Sequence, residues 1–218
     1  LSASHERDKI RKLSNAMKAM NAEAMKIENN TDSTSVFTMY EVGRSQKALM
    51  LVKSLGIDPA TGNELYLKRD GSTTFDYDPN DRVEVGNTTP KIQGFINTNL
   101  SWNHIELYMA FNYEYGAKIY NSTLAQKVEG ASPYQNADKR VLYDRWKKPG
   151  DIAMFRRIDD QGPVYQSSRL VQKNNYIRMS SLSLTYDIPR EKLARTFIER
   201  CKFTFSMTDV FRISSIKQ

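Results

Sequence analysis

Two neighbouring segments alternate between apolar and polar positions, and this pattern constrains the fold more than any other feature of the chain. In residues 92–102 most apolar side chains fall at even positions, and in residues 105–115 at odd positions. Only Asn103 and His104 separate the two runs. Successive side chains of a β-strand point to opposite faces of its sheet. The pattern therefore predicts two antiparallel strands joined by a tight turn.

The length of these runs bears on where the strands could lie. Strands of globular proteins usually have about 5–6 residues, whereas strands that cross a bilayer at a tilt have about 9–11. Two more alternating runs follow at residues 176–188 and 203–208. Aromatic side chains stand near the ends of the runs, as in the girdles of membrane barrels, at Trp102, Tyr113, Tyr115 and Tyr186. We therefore predict an all-β fold with minor helices, built on antiparallel transmembrane β-barrel strands. A large soluble β-sandwich is the alternative.

Composition excludes several other classes of function. Cys201 is the only cysteine, and His5 and His104 are the only histidines, so we expect no thiolate cluster, no His-rich metal site and no cofactor. The net charge is +7, but basic residues are interleaved with acidic ones, so we expect no nucleic-acid binding. No apolar run approaches the roughly 20 residues of a membrane helix.

The remaining segments contain shorter elements. Apolar residues recur at helical spacing between residues 6 and 28, which predicts a helix. A short hairpin is predicted around the Asp58-Pro59 turn, and residues 69–90 are interpreted as a solvated, turn-rich loop. In the long stretch 116–175, residues 136–146 have a capping Asn, apolar residues on one side and a Pro-Gly stop, which predicts a second helix.

Several of these segments resemble the SusC/RagA family of TonB-dependent outer-membrane proteins, which import glycans and peptides. The resemblance extends from about residue 6 to residue 218. Its motifs are YEVGRS at 40–45, SLGIDPATG at 54–62, IYNSTLAQKV at 119–128, DRWKKPGD at 144–151, SSR at 167–169 followed by NYIR at 175–178 and LSLTY at 182–186, and the segment 207–217.

The resemblance implies a part of a larger transporter, in which the strands form a partial barrel with long extracellular loops. A plug domain, a TonB box, a signal sequence and a final strand would all lie outside this chain. It also implies a surface lipoprotein of the SusD type as partner, energy from the TonB complex, and an oligosaccharide or peptide substrate, with outer-membrane lipid around the barrel.

A topology for the segments follows from the short periplasmic turns and long outer loops of such barrels. Residues 1–90 would form an extracellular region with a helix and a short hairpin, and residues 91–115 a barrel hairpin. Residues 116–175 would form a long extracellular loop. Residues 176–218 would form barrel strands around a periplasmic turn. The lipid-facing set would be Ile96, Leu100, Leu107, Met109, Phe111, Leu182, Leu184, Phe203 and Phe205.

Contacts with ligand or partner are expected from the long outer loop. Sugar rings have an apolar side and many hydroxyls, so aromatic rings and planar hydrogen-bonding groups suit them. The candidates are Tyr134, Tyr143, Arg145 and Trp146. Their alternative role is packing inside the loop, with Arg145 and Asp151 fixing the Pro149-Gly150 turn.

Two rival functions remain at this stage. One is a soluble carbohydrate-binding β-sandwich. The other is a glycosidase, because paired carboxylates are available among Glu106, Glu114, Asp144 and Asp151. Only composition supports the glycosidase, so we expect a protein that is not an enzyme.

Overall fold

A computed structural model describes residues 1–30, 39–131, 134, 136, 138–160, 162–194 and 197–216. Its strands are β1 (Ser2–Ser4), β2 (Ala48–Ile57), β3 (Glu64–Leu67), β4 (Thr73–Thr74), β5 (Arg82–Asn87), β6 (Ile92–Trp102), β7 (Ile105–Tyr115), β8 (Lys118–Tyr120), β9 (Val171–Lys173), β10 (Tyr176–Asp187) and β11 (Lys202–Ser214). The α-helices are α1 (Asn15–Asn30) and α2 (Arg190–Leu193), and short helical turns are Pro79–Asp81, Leu124–Glu129, Lys139–Leu142 and Ser168–Leu170. Across the described ranges, no helix is both long enough and apolar enough to cross a membrane.

The chain forms two compact units. The first consists of Leu1–Glu6, Pro90–Ala117 and Lys173–Gln218, and the second of Arg7–Thr89 and Lys118–Gln172.

The first unit is an open antiparallel sheet with the strand order β1-β6-β7-β10-β11. Its register places Leu100, Leu107, Leu184 and Phe205 in one row across four strands. The adjacent row is Ser101, Glu106, Thr185 and Thr204. We call the side of the first row the apolar face and the side of the second row the polar face. All residues predicted to face lipid lie on the apolar face. Their common face is thus confirmed, and its contact with lipid stays a prediction.

A stepwise bulge keeps the two faces separate along β10 and β11. Met109, Leu182 and Met207 form one row, and Phe111, Met179 and Phe211 form the next apolar row. Between these rows β7 has one residue, β10 has two and β11 has three. An extra residue would normally send the following side chains to the wrong face. In β10 the sequence compensates, because its apolar positions change from odd to even at this point.

The second unit contains a sheet of order β4-β3-β2-β5. The first half of β2, the apolar run from Ala48 to Val52, is buried throughout. Leu51 and Leu170, both fully buried, belong to a hydrophobic core that draws on β2 and on the stretch between β8 and β9. The other members of this core are Tyr120, Leu124, Ala125, Val128, Val141, Phe155 and Val164. The described part of residues 118–172 therefore contributes most of a packed core, which the sequence-based interpretation as a long loop did not predict.

The first helix is shorter than predicted. It begins at Asn15, where the Ser14 hydroxyl accepts a hydrogen bond from the Met17 N–H at 3.2 Å as an N-cap. Upstream, Ile10 pairs its backbone with Gly43 and Arg44 at 2.8 Å. The Asp8 carboxylate accepts hydrogen bonds from Ser45 and Gln46. Asp8 and Ile10 therefore bind the segment 43–46, and residues 6–14 do not form a helix despite their helical periodicity.

The predicted helix 136–146 is wrong except for one turn, Lys139–Leu142; Ala137 lies outside the described residues. Asp138 caps this turn by accepting from the Arg140 N–H at 2.9 Å. Asp144 has a left-handed backbone with φ 51°, which ends any helix. Its carbonyl accepts hydrogen bonds from the N–H groups of Met154 and Phe155. Pairing with residues 154–155 thus replaces the predicted helix.

The interpretation of residues 69–90 as a loop is also wrong in part. Residues Arg82–Asn87 form β5, which pairs with β2 from Ala48 to Val52. The predicted hairpin around Asp58-Pro59 is confirmed as the β2–β3 pair. The tight turn between β6 and β7 is confirmed, with Asn103 at φ 54°.

Candidate functional site

A concave pocket of 730 Å³ in the second unit contains three of the four predicted contact residues. Its apolar wall is formed by Val141, Leu142, Tyr143, Trp146 and Ile158. Its charged groups are Arg145, Lys147, Arg157 and Asp159. Pockets of this volume and mostly apolar lining are typical of small-ligand sites. The structure therefore brings Tyr143, Arg145 and Trp146 together, whereas Tyr134 is 94% exposed and is not in the pocket lining.

Arg145 is buried and holds the pocket wall together. Its guanidinium donates to the carbonyl oxygens of Val141 and Arg156, each at 3.0 Å, and to that of Val128. Desolvation lowers the pKa of Arg145 below its ordinary value, and the charge of Glu129 opposes this. Arginine stays charged at neutral pH even so. Because backbone carbonyl groups accept its N–H donors, Arg145 contributes positive charge and rigidity to the pocket wall.

Trp146 is fixed by the loop between β2 and β3. Its indole N–H donates to the carbonyl oxygen of Pro59 at 2.9 Å, and the Gly150 N–H donates to the same oxygen at 2.8 Å. The ring lies against Gly62, where an added Cβ would come within 2.6 Å of it. Gly62 has φ +75°, so only glycine combines this backbone with this close approach.

Asp151 stabilises the Pro149-Gly150 turn, as one reading of the sequence predicted. Its carboxylate accepts hydrogen bonds from the N–H groups of Lys147 and Lys148, both at 3.1 Å. The segment DRWKKPGD is therefore a structured turn that presents Trp146 and Lys147 at the pocket.

A buried ionic network, which the sequence interpretation missed, supports this region. Arg169 pairs with Glu64 at 2.8 Å and with Glu129 at 2.9 Å. Arg156 pairs with Glu129 at 2.8 Å and with Asp160 at 2.9 Å. The Ser167 hydroxyl donates to Glu64 at 2.5 Å. The sequence offered two signals for this network. Glu64 is a charged residue at the start of the apolar strand β3, and Arg169 belongs to the SSR motif.

The pKa values of the network follow from these pairs. Burial alone would raise the pKa of Glu64, but the charge and hydrogen bonds of Arg169 outweigh it and hold that pKa below the usual value. Burial would lower the pKa of Arg169, and the two carboxylates raise it instead. Both shifts favour the charged forms of Glu64 and Arg169, so the two side chains form an ion pair at neutral pH.

The carboxylates considered for glycoside hydrolysis have other contacts. Glu106 pairs with Lys202 at 3.4 Å, and Glu114 accepts from the Tyr176 hydroxyl at 2.7 Å, both on the polar face. Asp151 serves the turn described above. Within the described residues, no group of three or more His, Cys, Asp or Glu side chains is placed to hold a metal ion.

Comparison with known proteins gives one sequence relative and several structures. No protein-family model matches the chain. The TonB-dependent receptor P3 of Formosa agariphila is 25% identical over 160 residues, which cover 70% of this chain and 15% of that protein.

The structural matches are to the RagAB peptide importer. Its "open-open" state gives a TM-score of 0.69 at 20% identity over 82% of this chain, and its "closed-closed" state gives 0.65 at 20% identity over 80%. Each match spans 20% of the solved chain, so this chain corresponds to a small part of these proteins. The resemblance to SusC/RagA-type TonB-dependent transporters is thereby confirmed, and the fold is that of a part of the RagAB structures.

Proposed function

We propose that this chain forms part of the wall and outer region of a TonB-dependent outer-membrane importer. The observation that carries the proposal is the separation of the two faces in the first unit. Four neighbouring strands keep apolar and polar rows apart, even through the bulge at Ser180. Strands of membrane barrels alternate in this way between lipid and lumen.

The apolar face suits lipid because its large side chains are uncovered. Trp102 is 78% exposed, Phe203 63% and Phe205 58%. A soluble β-sandwich would cover such a face with a second sheet. The exposure therefore counts against the carbohydrate-binding sandwich and supports contact with hydrocarbon.

The polar face suits a wet lumen because its groups pair across strands. Arg178 pairs with Asp209 at 2.7 Å, and Glu106 pairs with Lys202. Arg212 lies over the ring of Tyr176, 4.3 Å from its centroid. Partly exposed pairs of this kind tolerate water, whereas unpaired charges in lipid would be costly.

The direction of the strands gives the proposed topology. The tight turn at Asn103 and His104 and the segment 188–201 would be periplasmic. The opposite ends of β6, β7 and β10 connect to residues of the second unit, and we place that unit on the cell exterior. There it would meet an oligosaccharide or peptide substrate and a SusD-like surface lipoprotein. Energy would come through the TonB complex, and the protein would transport its substrate without chemical change.

The predicted contact residues have different places in this proposal. Tyr143 and Trp146 would contact ligand in the pocket, and Arg145 would support them from behind. Tyr134 would serve as an exposed contact for the partner lipoprotein.

Fractionation of source cells tests the proposal. An antiserum against residues 120–170 should detect a band several times heavier than 25.1 kDa in the outer membrane. A band near 25 kDa in the soluble fraction would contradict the transporter and leave the carbohydrate-binding module as the better function.

A further inference from the structure

The pocket in the second unit has walls that suit an apolar group. Leu142 and Ile158 line it and are more than half exposed, and the ring of Tyr143 is 63% exposed. Aliphatic side chains offer no hydrogen bonds. A ligand that fills this concave space gains by removing apolar surface from water, at about 25 cal/mol per Å².

The pocket also has an excess of positive charge. Its lining has three cations, Arg145, Lys147 and Arg157, and one anion, Asp159. Asp159 is engaged by Arg157 at 2.9 Å, and Arg145 donates to backbone carbonyls. In the part of the chain that the structure describes, Lys147 forms no salt bridge, and its side chain is exposed at the pocket. One ammonium group is thus available beside an apolar wall.

We infer that this pocket binds the C-terminal residue of a short peptide that ends in an aliphatic or aromatic side chain. The side chain packs against Leu142, Tyr143 and Ile158, and the terminal carboxylate pairs with Lys147. This inference rests on the proposed function and assigns a substrate class to its outer pocket. A neutral oligosaccharide fits less well, because the aliphatic wall gives its hydroxyls no partners and the excess charge stays unmatched.

Peptide titration of the complete protein, purified in detergent without its lipoprotein partner, tests this inference. The probe is the pentapeptide Gly-Gly-Ser-Gly-Leu with a free carboxylate, measured by calorimetry beside its C-terminal amide. The amide should bind about tenfold more weakly, because it lacks the charge-assisted contact. Lys147→Gln should weaken binding of the acid by a similar factor and leave binding of the amide unchanged.

Two further variants separate the two halves of the site. Lys148→Gln removes the neighbouring exposed charge, which is outside the pocket lining, and should leave binding unchanged. Leu142→Ser should weaken the peptide that ends in Leu and leave one that ends in Gly unaffected. Equal binding of acid and amide, equal effects of Lys147→Gln and Lys148→Gln, or no binding of the pentapeptide would each overturn the inference.

One further measurement distinguishes a peptide substrate from a segment of the partner lipoprotein as the occupant of the pocket. If Lys147→Gln weakens association with the purified lipoprotein in the absence of peptide, the occupant is a partner segment, and the substrate assignment is overturned. Cell fractionation distinguishes a failure of the pocket inference from a failure of the proposed transporter function. Outer-membrane protein that does not bind the peptide contradicts only the pocket inference, whereas soluble protein that binds it contradicts the transporter.

Discussion

Arg169 forms a 2.8 Å ion pair with Glu64, which lies 105 residues earlier in the chain. Both side chains are almost completely buried, and Arg169 also holds the buried carboxylate of Glu129. The pair connects β3 with the SSR motif at residues 167–169. Through Glu129 the pair also reaches Arg156, whose carbonyl oxygen accepts a hydrogen bond from Arg145 in the pocket lining.

Removal of Arg169 should strongly destabilise the second unit. Arg169→Met leaves Glu64 without a cation and Glu129 with only Arg156, and breaking a buried pair costs about 3–5 kcal/mol. Hydrogen exchange of the β2 and β3 amides in the complete protein measures the free energy of local unfolding. The control is Arg44→Met, which breaks an exposed pair with Glu84 and should cost at most about 1 kcal/mol. Equal losses in the two variants would show that the buried network does not stabilise this region.

Acid should loosen the same region. The folded-state pKa of Glu64 is depressed, so its contribution is complete above the unfolded pKa of about 4.3 and is lost as the pH falls through the folded value. Exchange protection of the β3 amides, corrected for intrinsic rate, should stay level from pH 7 to about pH 5 and fall below about pH 4. Glu64→Gln should be less stable at pH 7 and should reduce this fall. Exposed Glu41→Gln should behave like the unaltered protein; if Glu64→Gln does too, Glu64 is not the responsible group.

Gly62 and Gly71 form a matched pair for the contact with Trp146. Both have positive φ, but a Cβ at Gly71 meets nothing within 4 Å, whereas one at Gly62 meets the indole. Alanine at either position carries the strain of the left-handed backbone, of roughly 1–2 kcal/mol. Gly62→Ala should cost about 1–3 kcal/mol more because of overpacking. The same exchange experiment, read at residues 144–151, measures the difference. Equal costs would mean that Trp146 moves aside freely.

The two faces of β7 should respond differently to charge. Met109 lies on the apolar face opposite Leu182, and Asn112 lies on the polar face opposite Arg178. Met109→Asp should cost about 1–2 kcal/mol in the membrane, while Asn112→Asp should be tolerated. Folded barrels resist SDS and run differently before and after heating, so the folded fraction can be read from a gel. Equal folded fractions would mean that the apolar face does not meet lipid.

The sequence predicted the elements whose pattern is local. Alternation in β6 and β7 can be read from each strand's own residues. Because only Asn103 and His104 link the two strands, their antiparallel pairing with each other was predictable as well. The facing of β10 was also predictable, since its phase change coincides with the bulge at Ser180.

The failures occurred where distant contacts decide the structure. Residues 6–14 have helical periodicity, yet Asp8 and Ile10 bond to the segment 43–46. The Ser14 cap was present in the sequence as a signal for the true start of the helix.

The candidate site was predicted only in part, for a similar reason. Tyr143 and Trp146 were predicted as contact residues because they are aromatic and belong to the long outer loop, and both line the pocket. The roles of Gly62 and Lys147 depend on segments that meet only in the folded chain. The same holds for Glu64 and Glu129, whose common partner is Arg169.

Cysteine labelling along β7 tests most directly whether this sheet is a barrel wall. Single cysteines at positions 106 to 111 are introduced into the complete protein in its native membrane, with all its native cysteines, Cys201 among them, replaced by serine. Each is treated with a charged maleimide and then with a lipid-soluble one. We predict that positions 106 and 108 react with the charged reagent and that positions 107, 109 and 111 react only with the lipid-soluble one. Position 110, where the Ala110 side chain is buried, should react slowly with both. Equal reaction of all six positions with the charged reagent would contradict a strand between lipid and lumen.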